Sequence, residues 1–67
     1  MKTFEETKQM ASDTLNDMHH ELSLLSRTYR NYEKHGAVNA AAELRAQMEA
    51  LENDIAAETQ MFRMAFY

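Results

Sequence analysis

One glycine, Gly36, and no proline punctuate this chain of 67 residues. A sheet needs turn residues between its strands, and this sequence has almost none. Two long helices meeting at Gly36 satisfy the same composition without strain. There is no cysteine, which removes disulfides and thiolate zinc sites from consideration. At this length one small domain, 1–67, is the upper bound. Such a core seldom supplies more than about 3–5 kcal/mol by itself. With neither a disulfide nor an evident metal, contact with another chain is the expected remaining source of stability.

The helix boundaries follow from local chemistry. Thr3-Phe4-Glu5-Glu6 reads as a capping box ahead of a periodic apolar pattern. Helix 1 is expected over about 4–35, ended by Gly36 in the left-handed conformation. Glu5, Glu6 and Asp13 fall in its first part, and Arg27, Arg30, Lys34 and His35 near its end, as the helix dipole favours. Asn39 is the expected N-cap of helix 2, with a loop over 36–39 and the helix over about 40–66. So short a connection makes the helices antiparallel, about 48 and 42 Å long.

Both helices carry a seam with 3-4 spacing. On helix 1 it runs Phe4, Lys8, Ala11, Leu15, Met18, Leu22, Leu25, Tyr29, Tyr32. On helix 2 it runs Ala37, Ala41, Leu44, Met48, Leu51, Ile55, Glu58, Phe62, Ala65. Sustained over roughly four heptads, this spacing predicts a coiled-coil-like antiparallel two-helix hairpin. Folding it at Gly36 sets Tyr29 against Leu44, Leu22 against Leu51 and Ala11 against Phe62, with large residues opposite small ones. An all-α hairpin dimerising into a four-helix bundle is the expected architecture. Two charges interrupt the seam. Lys8 and Glu58 are expected to snorkel out of the open end, or Glu58 to meet a cation or hydroxyl of another chain. One edge should pair His19 with Glu52; the other brings Glu21 towards Asp54.

The stretch QMFRMAFY, Gln60 to Tyr67, carries more apolar surface than one stripe can hide. Met61, Phe62, Met64, Phe66 and Tyr67 point all round a helix, so this end is expected to meet another surface. Helix 2 also has a small-residue seam, Ala46, Ala50, Asn53, Ala57, Gln60, Met64, of the kind that admits a neighbouring helix. Helix 1 echoes it faintly with Met10 and Leu24. The expected contact residues are therefore Phe62, Met64, Phe66, Tyr67, Met61, Glu58, Ala50, Ala57, Met10 and Leu24.

Other chemistry finds little footing. His19 and His20 adjoin Asp17 and Glu21, but neighbouring positions diverge by about 100° on a helix and no second His stands at i+4. No nucleophile has a base and orienting group, and no Gly-rich phosphate loop exists. No catalysis, metal or cofactor is expected. The formal charge of −4 weighs against nucleic acid and anionic membranes. No apolar run reaches the roughly 20 residues of a membrane span, and MKTFEETKQM lacks a signal peptide's apolar stretch. A cytoplasmic location is the expectation. The expected partners are a second copy, giving a homodimer, and a protein of unknown identity that the hairpin regulates or inhibits.

Three resemblances add alternatives. Gly36 with Ala50-Leu51-Glu52 on an Ala-rich second helix resembles the small co-chaperones of type III secretion needle subunits. That resemblance implies an assembly subunit clasping a helical-repeat chaperone. The hairpin layout is similar to plasmid copy-number regulators of the Rop type, which implies a bundle gripping RNA through Arg27, Arg30 and Lys34. The size and acidity resemble small phage-encoded inhibitors of host factors, which implies masking of a partner's interface.

Overall fold

The computed structural model describes residues 3–67. Two helices, α1 (Phe4–Lys34) and α2 (Val38–Phe66), pack antiparallel into a rod of 50 × 17 × 15 Å. The all-α helical hairpin read from the spacing is the fold. Thr3 caps α1: its hydroxyl accepts the Glu6 amide at 3.1 Å. Its carbonyl accepts both the Thr7 amide and the Thr7 hydroxyl.

The reversal is a complete Schellman turn. Gly36 stands at φ 74, its amide donates to the Glu33 carbonyl at 3.2 Å, and the Ala37 amide donates to the Tyr32 carbonyl at 2.9 Å. This tight closure leaves α2 no room to start at Asn39. The Ala41 amide already donates to the Ala37 carbonyl at 2.9 Å, so Ala37 is the N-cap and makes no side-chain cap bond. Asn39 lies inside the first turn, and the loop is 35–37 rather than 36–39.

The seam holds as expected from Lys8 to Tyr32 on α1 and from Ala37 to Ile55 on α2, every position at least half-buried. Beyond Ile55 it changes phase. Thr59, Phe62 and Phe66 are half-buried, while Glu58 and Ala65 are exposed. From Met48 the inward residues step three, four and four, an eleven-residue interval that unwinds a left-handed supercoil locally. The reason is volume and charge. Turning Phe66 inward instead of Ala65 packs an aromatic ring against Phe4 and Phe62. The same rotation carries the Glu58 carboxylate out to water. Glu58 is thus not a core position.

The core is thin. Ala41, Leu44 and Ile55, each 7 % exposed, are the buried residues among those described, and α1 contributes none. A compact monomer of this mass exposes about 4,400 Å²; the hairpin exposes 5349 Å². The difference is on the order of the 800 Å² that each partner covers in a standard protein–protein interface.

Two expectations follow from the turn and the phase change. A Cβ on Gly36 would meet nothing within 4 Å, so the cost of Gly36→Ala is backbone strain alone, about 1 kcal/mol in urea unfolding. D-Alanine at the same position, introduced by chemical synthesis, should be neutral or stabilising. Thr59→Leu should add about 1 kcal/mol by extending the seam. Glu58→Leu should stay within about 0.5 kcal/mol of the parent; the opposite order would restore the unbroken heptad.

Candidate protein-binding surface

The open end is held by aromatic rings. Phe4 meets Phe66 edge-on at 5.4 Å between ring centroids. Phe62 lies 5.0 Å from Phe66 and 5.8 Å from Tyr67. Lys8 completes the group, its Nζ 4.6 Å above the Tyr67 ring. This explains a lysine on an apolar seam: the stem lies along the groove and the ammonium rests on an electron-rich face. Phe62 and Phe66, expected to contact another chain, are half-buried within the hairpin itself.

What remains exposed is segregated. The two helices define a groove with opposite sides. On one side Ala11 and Leu15 share an open cleft of about 180 Å³ with Glu58, Met61 and Ala65. On the other, Tyr29 shares clefts with Arg45, Glu49 and Glu52 and with Glu33 and Val38. Seven-residue spacing places Met10 and Leu24 of α1 on the Met61 side, and Ala50 and Ala57 of α2 with them, whereas Met64, two residues from both inward-facing Phe62 and Phe66, points to the back of α2. Met10 is 51 % exposed, Leu24 46 %, Met61 60 % and Met64 77 %. Three of the large apolar side chains left in water, Met10, Leu24 and Met61, thus lie on one face, and Val38 lies on the other.

Threonines extend that face in a way the apolar pattern concealed. The Thr14 hydroxyl donates to the Met10 carbonyl at 3.0 Å. The Thr28 hydroxyl donates to the Leu24 carbonyl at 3.2 Å, and Thr7 bonds back in the same manner. Each hydroxyl is spent on the preceding turn, so a methyl group is left to line the surface. The readable signal was Thr at 7, 14 and 28, multiples of a heptad.

Charge separates the two faces as well. The apolar face carries Asp17, Glu21, Glu43, Asp54 and the exposed Glu58, with no Lys or Arg among the described residues. The opposite face mixes signs, with Arg30, Arg45 and Arg63 among Glu33, Glu49 and Glu52. There Arg45 and Glu49 form an ion pair at 3.5 Å, the one pair among the described residues. His19 and Glu52, expected to pair across the groove, do not; ordering two exposed side chains gains too little. Arg27 and Lys34 stand on the back of α1, away from the apolar face.

The structure therefore sorts the ten expected contact residues. Met10, Leu24, Ala50, Ala57, Met61 and Glu58 share a face, while Met64 lies on the back of α2. Phe62 and Phe66 bind the hairpin's own open end, with the exposed Tyr67 packed on Phe62. Ala46, Asn53 and Gln60, read as part of a second seam, lie on the back of α2 and are exposed. No three His, Cys, Asp or Glu side chains converge as metal ligands among the described residues, and no helix there is long and apolar enough to cross a membrane. The chain matches no family model, no curated protein and no solved structure.

The lysine–tyrosine contact is measurable. In a double-mutant cycle of Lys8→Gln and Tyr67→Leu, urea unfolding should give a coupling of about 0.5–1 kcal/mol. A coupling near zero would reduce Lys8 to a solvated side chain.

Proposed function

We propose that this protein is a small non-catalytic binding module that regulates or inhibits another protein by occupying its surface with the face carrying Met10, Leu24, Ala50 and Met61. The observation that supports this reading is the sharing of one side by the exposed Met10, Leu24 and Met61, on a hairpin with three buried residues among those described. Apolar area left in water favours burial at roughly 25 cal/mol per Å², and the hairpin's own core is too thin to use it. Helices presenting such a stripe dock into grooves or receive a third helix. Met residues suit the task because their flexible side chains adapt to irregular surfaces.

Self-association is the second reading. The observation favouring it is the aromatic end, where Phe4 is 58 % and Tyr67 82 % exposed beside rings already packed. Two copies meeting end to end there would extend one cluster into another. An assembly subunit of a larger complex would use the same apolar face.

Photo-cross-linking separates the readings. Benzoylphenylalanine at Met61 or Leu24, in the cells that make the protein, should yield an adduct with a different protein, and the same probe at Glu49 should not. Adducts between two copies would establish self-association instead. Equal labelling from both faces, or none from either, would overturn the binding-face assignment.

A further inference from the structure

The charge pattern along the apolar face identifies the chemistry of what covers it. Because Ala11 and Leu15 share a cleft with Glu58 and Phe62, and Tyr29 with Arg45 and Met48, the level of each residue on the rod is fixed. Met10 stands level with Met61 near the open end. Leu24 stands level with Ala50 nearer the turn. Between these apolar stations lie Asp17 and Glu21 of α1 and Asp54 and Glu58 of α2, all exposed. The face is thus apolar, then acidic, then apolar, with no cation on it among the described residues.

Resting on the binding-face reading above, we propose that the occupant is a basic amphipathic helix of a partner protein, laid along the groove as a third helix. Met10 and Leu24 are fourteen residues apart, about 21 Å along a helix. The matching helix carries two apolar anchors about fourteen residues apart with Lys or Arg between them, all on one stripe. Its cations meet the four carboxylates while its anchors cover the methionines at one station and Leu24 at the other. A second copy does not fit. A two-fold contact through this face exchanges the apolar stations and lays the acidic belt upon itself, carboxylate against carboxylate. Nucleic acid and anionic lipid are repelled by the same belt.

Three synthetic helical peptides of about 21 residues, identical in their two Leu anchors and carrying Lys/Arg, Gln or Glu between them, test the proposal by fluorescence anisotropy. The Lys/Arg peptide should bind at least about tenfold more tightly than the Gln peptide, and lose about tenfold between low and high salt. Glu21→Lys with Asp54→Lys, both at exposed positions, should keep the helical circular-dichroism signal and abolish the advantage of the Lys/Arg peptide over the Gln peptide, because two added cations cancel the two carboxylates that remain. Equal binding of the Lys/Arg and Gln peptides would sink the basic partner and leave the apolar binding face standing. Failure of all three at millimolar concentration would sink both. A dimer in sedimentation that Leu24→Asp dissociates would give this face to a second copy, which also overturns the proposal.

Discussion

Everything in this hairpin depends on one residue held in the left-handed region. Gly36 at φ 74 lets the last carbonyls of α1 be satisfied within the turn and sends the chain back after a three-residue loop. A longer or looser connection would leave the crossing and the rotation of α2 undetermined. Here the turn fixes both. Ala41 and Leu44, one and two turns into α2, are consequently among the few buried side chains. The far end lacks that constraint and relies on Phe4, Phe62, Phe66 and Tyr67 to close it.

A two-helix rod has a geometric ceiling on burial. Each helix can hide one stripe, and the other side of every seam residue still faces water. Hence no α1 residue is buried although its seam is apolar over most of its length. A third helix in the groove would cover that half-exposed seam, which neither member of the pair can do for the other. The two sides of the groove are unequal for this purpose. One is apolar with acidic groups alone, and the other is a mixed-charge surface, with its own internal ion pair, well suited to water.

Much of this was legible from the residues. Thr3, Gly36 and the heptad spacing up to Ile55 each rest on local rules with a single dominant cause, and each stands in the structure. The start of α2 was not legible, because the hydrogen-bonding reach of Asn39 is a weaker influence than the closure geometry of the preceding turn. The phase of the last three turns was hidden for a different reason. Choosing between Glu58 with Ala65 and Thr59 with Phe66 compares whole side-chain volumes at an open end, which spacing alone does not weigh. The shared face was concealed further, since Met10 and Leu24 gain significance only when α2 sets Met61 and Ala50 beside them. The threonine methyls became visible only with the hydroxyl bonds that turn them outward.

The four-residue step from Ile55 to Thr59 has a consequence for any helix lying in the groove. A surface that repeats every seven residues looks the same after a slide of two turns, so a docked rod has several equivalent resting places. One irregular interval removes that translational degeneracy. Like a single notch cut in an evenly toothed rack, it leaves one longitudinal position in which every knob finds its hole.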